Sequence, residues 1–524
     1  MAAPRPDDSV ARTLLQLAVI ESERGNAAGA LPLLLRARDA APDQPAVRFH
    51  LGLAFKKLNR LEEAVESFQR AAAAHPGAPE IHNYLGWTLH LLGRLDDAAA
   101  AYDKSLALAP RAWRTLMNLG ATRCDQGRAD EALALYARAE AIAPGEIDIA
   151  LNRGNALAEL SRHTEALAEY EKVARAQPRD AEVRMNIANA LRDMQRHAEA
   201  LPHYDQALAL APDSADVHFN RSLCLLAMGA YTEGWAEHEW RWKARKLGQV
   251  EQVFAQPKWL GDGPLAGKTL LLHAEQGLGD TLHMCRYARV AAARGARVVL
   301  QAQKPIVPLL RQTLGDAAEI VAQGEPLPRF DAHCPTMSAP LAFGTTLDTV
   351  PAEVPYLRVP PERIAHWRRL LRPGFHVGLA WSGNPSYAAD RKRSVELRSL
   401  LEALPMGPRY WCLQKDVPAR DQQAFDAAGI GRFEENGFPD TAAQMGAMDL
   451  VISVDTSIAH LAGAVGARLW LLLAHAADFR WLSGRTDSPW YPTARLWRQP
   501  SPGDWASVLR QLRDALNELS DGHV

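Results

Sequence analysis

The sequence has few cysteines and no long apolar run, and each absence excludes a class of protein. Its five cysteines are scattered over 524 residues and form no CxxC pair, which argues against a zinc site or a disulfide framework and favours a reducing compartment. No apolar run approaches the roughly 18–20 residues that span a membrane. The first residues also lack the basic-then-apolar pattern of a secretory signal. We therefore expect a cytoplasmic protein with no membrane span.

Charge of one sign is also lacking. The formal net charge is −2, and 48% of the residues are hydrophobic against 23% charged, as in ordinary globular proteins. A nucleic-acid-binding protein would be expected to carry a basic face, so we expect no nucleic-acid partner. The length corresponds to three or so domains at about 150 residues each.

What the sequence does contain is a repeat. Six prolines recur every 34 residues: Pro42, Pro76, Pro110, Pro144, Pro178 and Pro212. A first small residue keeps the same register, at Ala18, Gly52, Gly86, Gly120, Gly154, Ala188 and Ser222. A second does so at Ala30, Ala64, Ala98, Ala132, Ala166 and Ala200, and in most repeats an aromatic follows four residues later, at Phe68, Tyr102, Tyr136, Tyr170 and Tyr204.

This pattern resembles the tetratricopeptide repeat, in which small residues let two helices approach and the proline ends the second helix. The resemblance covers residues 9–245 and predicts an α-solenoid of six repeats and a partial seventh. Within one repeat we expect a first helix over Glu80–Leu92 and a second over Leu95–Ala109.

Asparagines also recur near the 34-residue step, at Asn83, Asn118, Asn152, Asn186 and Asn220. On one face of the solenoid their amides could hold an extended peptide backbone, which makes them candidates for an acceptor groove. The alternative is that they are solvated or pack between helices.

The end of the repeat region is unusually aromatic. The helix around Trp235, Trp240 and Trp242 is too aromatic for a free solenoid end, so we interpret it as a docking helix that seals the repeats against the next domain. A core helix or an arginine–aromatic surface stack is the alternative. A linker is expected over 246–267.

From Lys268 the pattern changes to short apolar runs, as in buried parallel strands. Strands are expected at Lys268–His273, Ala296–Ala302, Phe375–Trp381, Tyr410–Leu413, Leu450–Val454 and Arg468–Leu473. Strands that alternate with helices twice over indicate two doubly wound α/β lobes, with ligands at the carboxyl ends of the strands. The loop at Gly277 and Gly279 is not a dinucleotide fingerprint, because Leu282 stands where the third glycine would be.

Two motifs in this half resemble the bacterial ADP-heptose–lipopolysaccharide heptosyltransferases: Gly279-Asp280, and the run Ser453–His460, which matches the family's SxDTxxxH signature. The resemblance covers about 268–517. It implies a GT-B fold of two Rossmann-like lobes, here 268–365 and 366–524, with the active site between them. Members transfer a sugar from a nucleotide-sugar with inversion and without a metal. The fusion to repeats is also similar in layout to protein O-linked N-acetylglucosamine transferases.

The resemblance assigns the catalytic base to Asp280, because an attacking hydroxyl needs a carboxylate within hydrogen-bond reach. A helix cap is the alternative, and both can hold. Asp455, Thr456 and Ser457 start a helix after an apolar strand, so their hydroxyls and amides could hold phosphate, with Asp455 orienting the loop or an acceptor group. His460 lies on the same helix face; it is a candidate ligand or a structural histidine.

Further donor contacts are expected after the neighbouring strands. Gly277, Gly279, Ser382 and Asn384 lie in strand-end turns, and Arg391, Lys392 and Arg393 supply cations unless they form a solvated face. Gln414 and Lys415 stand where the family has an acidic nucleoside contact, so the base and ribose contacts must differ from those of ADP-heptose enzymes. The aromatics at 478–482 and 488–492 could stack on a ligand or pack the loops.

Together these features predict an inverting glycosyltransferase whose repeats recruit a protein or peptide acceptor, with a nucleotide-sugar as co-substrate and no metal or other cofactor. Two alternatives stay open. One is a non-catalytic scaffold with a nucleotide-binding GT-B domain. The other is a glycosyltransferase of glycan or lipopolysaccharide assembly.

Overall fold

The computed structural model describes residues 6–244, 248, 250–384, 390–433 and 437–521. Two compact units divide the chain, at 1–190 and 191–524. The division falls inside the predicted repeat region rather than at its end. None of the helices in the described ranges is both long and apolar enough to cross a bilayer.

The first unit is built from helix pairs. Its helices are α1 (Pro6–Glu23), α2 (Ala27–Ala40), α3 (Pro45–Lys57), α4 (Leu61–Ala74), α5 (Pro79–Leu91), α6 (Leu95–Leu108), α7 (Trp113–Asp125), α8 (Ala129–Ile142), α9 (Ile147–Glu159), α10 (His163–Ala176) and the start of α11 (Ala181–Asp193). The predicted pair at 80–92 and 95–109 is confirmed as α5 and α6. Each recurring proline lies just beyond the second helix of a pair, where its missing N–H costs no helical hydrogen bond.

The small residues of the repeat make room for its aromatic rings. A Cβ built on Gly52 would lie 2.5 Å from the Phe68 ring, and one on Gly86 would lie 2.8 Å from the ring of Tyr102. Real Cβ contacts are never that short, so the glycine of the first helix receives the aromatic of the second. The spacing of 16 residues between glycine and ring is therefore a packing rule of this unit.

The second unit begins with the last repeat helices, α12 (His197–Leu210), α13 (Ala215–Ala227) and α14 (Tyr231–His238), followed by a 3₁₀ turn at Glu239–Trp242. Trp235 is buried edge-on against Phe479, with ring centroids 5.7 Å apart. The Trp490 Nε1–H donates to the Tyr231 hydroxyl over 2.8 Å. These contacts confirm the predicted docking of this helix on the α/β region.

Two parallel sheets follow. The first contains β1 (Thr269–His273), β2 (Arg297–Ala302), β3 (Glu319–Ala322) and β4 (Ala332–Pro335), with helices α15 (Leu278–Met284), α16 (Tyr287–Ala293), α17 (Val307–Leu314) and α18 (Ala339–Ala342). The second contains β5 (His376–Ala380), β6 (Arg409–Cys412), β7 (Gly431–Arg432), β8 (Leu450–Val454), β9 (Leu469–Leu473) and β10 (Ala494–Arg498). Its helices are α19 (Pro361–Leu370), α20 (Asp390–Arg393), α21 (Leu397–Ala403), α22 (Gln422–Ala428), α23 (Phe438–Ala447), α24 (Ser457–Ala464) and α25 (Trp505–Asp521).

The strand orders locate the crevices of both sheets. The order is β3-β2-β1-β4 in the first and β10-β9-β8-β5-β6-β7 in the second. In each, the winding reverses beside the first strand, between β1 and β4 and between β5 and β8, whose register pairs Val377 with Leu450. Ligands of doubly wound sheets bind at the carboxyl ends of the strands at such a reversal. A ligand site is therefore expected at the loops after β1, β5 and β8.

The last helix, α25, packs on the second sheet, because its Val508, Leu512 and Leu516 are buried in the core around that sheet. Part of the predicted linker, at 246, 247 and 249, lies outside the described residues. Further along it, the Trp259 ring packs against the Phe343 ring of the first lobe at 5.0 Å, and the backbone N–H of Trp259 donates to the His333 carbonyl.

Candidate functional site

The loop after β1 fixes the carboxylate of Asp280. Asp280 is the third residue of α15, and its Oδ2 accepts the Gly277 N–H over 2.9 Å, which caps the helix. Its Oδ1 accepts from Arg480 Nη2 at 2.5 Å. The side chain retains 22% of its exposure. The cap function considered for this residue is therefore present, and it leaves Oδ1 directed at the second lobe.

Gly279 brings the two predicted motifs into contact. A Cβ built on it would lie 3.0 Å from His460 Cδ2 and 3.5 Å from the Cα of Ser457. Since only a glycine leaves this space free, α15 of the first lobe can approach the amino end of α24 in the second. Residues some 180 positions apart in the chain are thus assembled at one place. Gly277 and Gly279 serve capping and close packing here; whether they also touch a donor stays a prediction.

The loop after β8 places Asp455 beside His460. Thr456 is the residue that caps α24, in extended conformation, and Ser457 begins the helix. His460 is buried, with Nδ1 3.0 Å from the Tyr491 hydroxyl and Nε2 4.0 Å from Asp455 Oδ1. The Tyr491 bond fixes the imidazole, so the structure supports a positioning role for His460, and its ligand role stays a prediction.

The loop after β5 is held by Gln414. The Gln414 Oε1 accepts from the backbone N–H groups of Trp381 and Ser382, at 2.9 and 3.2 Å, and Nε2 donates to the Ser382 hydroxyl. Nε2 also donates to the Asp416 carbonyl. Gln414 thus shapes the strand-end turn with both ends of its amide. Asn384 and Lys415 have exposed side chains at the same edge of the sheet.

Of the three predicted cations, Arg393 faces the site. Arg391 and Lys392 are exposed, whereas Arg393 is half-buried. Its Nε donates to Asp390 Oδ1 over 3.0 Å, and a Cβ on Gly383 would lie 2.6 Å from its Nη2. The guanidinium therefore lies against the turn after β5.

Arg480 is the residue that sequence reasoning missed. It is 7% exposed and contacts two carboxylates, Asp280 and, through Nη1 at 2.8 Å, Asp478. It lies between Phe479 and Trp481 in the aromatic stretch at 478–482. An arginine two residues after an aspartate carries no motif, so only the fold reveals its partner in the other lobe.

Burial and neighbouring charges shift the pKa values of Asp455 and Asp280. Burial raises the pKa of Asp455, and the nearby Asp478 carboxylate adds to the effect, while Arg393 and Arg480 oppose it. Burial likewise raises the pKa of Asp280, against the field of Arg480. Perturbed carboxylates at strand ends are characteristic of functional sites.

The aromatic stretches mainly pack the loops. Trp481, Trp490 and Tyr491 are at most 1% exposed. The His460 ring stacks on Trp481 at 5.2 Å and on His283 at 5.1 Å, so a column of rings joins the two lobes. Of the two interpretations, loop packing fits this burial.

The asparagines occupy the first helix of successive repeats and are all half-buried. In the first unit, Asn118 Nδ2 donates to Asn83 Oδ1 over 3.3 Å, linking two repeats, whereas Asn152 bonds back to the Asp148 carbonyl. In the second unit, Asn220 accepts from Arg192 over 2.9 Å. Their role in binding a peptide stays a prediction.

The fold and these contacts define a chain of tetratricopeptide repeats followed by parallel α/β sheets. One family model, described as a tetratricopeptide repeat, matches residues 15–79, 51–112, 85–147 and 185–236, and a second of the same description matches 124–190. The repeats expected from the 34-residue period are thus confirmed.

Among characterised proteins, Protein FlbA of Caulobacter vibrioides is 26% identical over 326 residues. The likeness covers 56% of this chain and 54% of FlbA, so the chain spans about half the length of that relative. Solved repeat structures are also similar to part of the chain. A tetratricopeptide repeat protein from Parabacteroides merdae is 17% identical with a TM-score of 0.41, covering 46% of this chain and 95% of that one. TTC0263 of Thermus thermophilus is 24% identical with a TM-score of 0.30, covering 34% and 98%.

Proposed function

We propose that the chain is an inverting, metal-independent glycosyltransferase of GT-B fold, resembling the heptosyltransferases, whose repeats recruit a protein or peptide acceptor. The observation that carries the proposal is the close approach of Gly279-Asp280 to Ser457–His460, where a Cβ on Gly279 would lie only 3.0 Å from His460. Both motifs follow strands that border a reversal of winding, β1 and β8. A nucleotide-sugar bound at the second sheet would place its sugar toward the first.

The residues support a single displacement. A donor's diphosphate would lie at the amino end of α24, near Arg393, where amide dipoles and a cation favour negative charge. Asp280 would accept the proton of the acceptor hydroxyl while that oxygen bonds to the anomeric carbon. The bond between the anomeric carbon and the phosphate oxygen breaks on the opposite face. Configuration is therefore inverted and the nucleotide leaves with the electron pair.

The repeats favour a protein acceptor over a small one. A solenoid presents a long surface, and the Asn83–Asn118 bond shows amides of successive repeats within reach of each other. A small or lipid-linked glycan would need no such surface. A glycan acceptor would be indicated if deletion of the first unit left transfer unchanged.

The direct test is a thermal unfolding screen of the full chain with ADP-, UDP-, GDP-, CMP- and dTDP-sugars, followed by transfer assays with the donor that binds. A donor at 100 times its Kd adds about 2.7 kcal/mol to the free energy of unfolding. Asp280→Asn should bind that donor and lose transfer, while Asp426→Asn, an exposed acid on α22, should keep both.

The alternative is a nucleotide-binding scaffold without catalysis. One observation favours it: Arg480 donates to Asp280 Oδ1, the oxygen that a catalytic base would use. Donor binding with no transfer to any acceptor and no slow hydrolysis of the donor would favour the scaffold. Full transfer by Asp280→Asn would remove the base assignment.

A further inference from the structure

We propose that Arg480 is an anion-binding latch: it holds the reactive oxygen of Asp280 when the site is empty and transfers to the donor's phosphate when the donor binds. The inference rests on the proposed function and adds a residue that neither motif contains. It also assigns the ligand chemistry of the site, a diphosphate or phosphate ester carried by a sugar.

The two oxygens of Asp280 have different tasks. Oδ2 accepts the backbone N–H of Gly277, which fixes the carboxylate on α15. Oδ1 accepts from Arg480 at 2.5 Å. Because a paired cation lowers the basicity of a carboxylate, Asp280 would become a stronger base for an acceptor hydroxyl once Arg480 releases Oδ1. The Gly277 bond would keep it in place after release.

The surroundings of Arg480 would let its guanidinium exchange the Asp280 carboxylate for a phosphate. Its side chain is anchored next to Asp280 by Asp478, which accepts from Nη1 at 2.8 Å and from the backbone N–H at 3.0 Å. The guanidinium lies over the Phe479 ring at 4.5 Å. Within the part of the chain that the structure describes, its buried Nε has no hydrogen-bond partner. A planar fork with an unused donor can bind a phosphate in bidentate fashion.

The charge around Arg480 makes the exchange favourable. Asp280 and Asp478 bond to it and Asp455 lies within electrostatic range, and a guanidinium in a buried site binds the anion that offers most charge. When Arg480 turns to a phosphate, Asp280 loses its cation and gains a negative neighbour. Both changes make the carboxylate a stronger base. Donor binding would thus prepare the catalyst for the acceptor.

Inorganic pyrophosphate is a probe of this site that requires no knowledge of the sugar. Isothermal titration of the full chain at low salt should give a measurable Kd. We expect Arg480→Gln to weaken binding at least tenfold and Arg480→Lys to weaken it less, because lysine keeps the charge but not the fork. Arg485→Gln, which removes a partly exposed arginine paired with Asp487, is the matched control and should bind like wild type.

A variant that gains affinity for pyrophosphate is a sharper test than one that loses it. Asp280→Asn removes the competing anion, so pyrophosphate should bind at least threefold more tightly, a gain that misfolding cannot produce. Equal binding by wild type and Arg480→Gln, or no gain in Asp280→Asn, would overturn the latch and leave the proposed function standing. If wild type binds neither pyrophosphate nor any nucleotide, the latch and the proposed function fall together.

Discussion

Arginine–carboxylate pairs occur in both units of the molecule, but they are of two kinds. In four repeats of the first unit, the arginine that precedes the second helix pairs with an acid three residues later: Arg60–Glu63, Arg94–Asp97, Arg128–Glu131 and Arg162–Glu165. All are about half exposed. In the second unit, the pairs Arg241–Glu275 and Arg480–Asp280 lie between distant elements, and both arginines are buried.

The difference separates what repetition provides from what function requires. An exposed pair at spacing three is a local feature that water and salt weaken. A buried pair must compensate the desolvation of both charges, and loss of one partner leaves the other uncompensated. The buried pairs therefore mark positions where the fold keeps a charge despite the free energy lost on its desolvation.

Arg241→Met should have the largest effect on stability. The guanidinium is fully buried and bonds Glu275, Glu239 and Ser338. Its loss leaves Glu275 buried without its cation, so we expect the free energy of unfolding to fall by about 3–5 kcal/mol. Urea unfolding followed by tryptophan fluorescence reports the second unit, since twelve of the fourteen tryptophans lie from Trp235 onward.

The matched substitution in the first unit is Arg162→Met, which removes one member of an exposed pair. It should leave the unfolding midpoint, followed by circular dichroism at 222 nm, where it is in wild type. A similar loss in both variants would contradict the distinction between the two kinds of pair.

Asp455→Asn should stabilise the protein at alkaline pH. The folded pKa of Asp455 is raised by burial, so the folded state holds the proton more tightly than the unfolded state and ionisation opposes folding. The variant should therefore be more stable than wild type at pH 8, by about 1–3 kcal/mol. The gap should close below about pH 4, where both forms are neutral. Urea midpoints at four pH values give the comparison, and a gap that widens on acidification would reverse the sign.

Gly120→Ala tests the packing rule of the repeats. The added methyl group would meet the Tyr136 ring, and overpacking of this kind exceeds the gain in helix propensity, for a net loss of about 1–2 kcal/mol. Circular dichroism at 222 nm during urea unfolding measures it. Gly77→Ala is the control, because its Cβ would meet open space. Tyr136→Leu should recover part of the loss in the double variant.

The sequence predicts the repeats almost to the residue, because a strict period fixes each helix independently of the rest. Leu450–Val454 was predicted with its observed bounds, but β3, β4, β7 and β10 were not. These short strands are defined by pairing with distant neighbours, as β10 pairs with β9. Prediction of the site has the same limit, because it also depends on contacts between residues that are distant in sequence. Asp280 and His460 stand in motifs, whereas Arg480 acquires its role only when the lobes bring position 480 to position 280.

The smallest expected effect is the coupling within one exposed pair. Arg128 donates to both Glu131 oxygens, at 2.6 and 2.7 Å, and this geometry alone would suggest a strong interaction. Because both side chains are about half exposed, a double-mutant cycle of Arg128→Gln and Glu131→Gln should give a coupling near the limit of detection. That coupling should vanish at 0.5 M salt, whereas the loss in Arg241→Met should persist. A large, salt-resistant coupling at Arg128 would mean that the repeats, too, use their arginines to hold the fold.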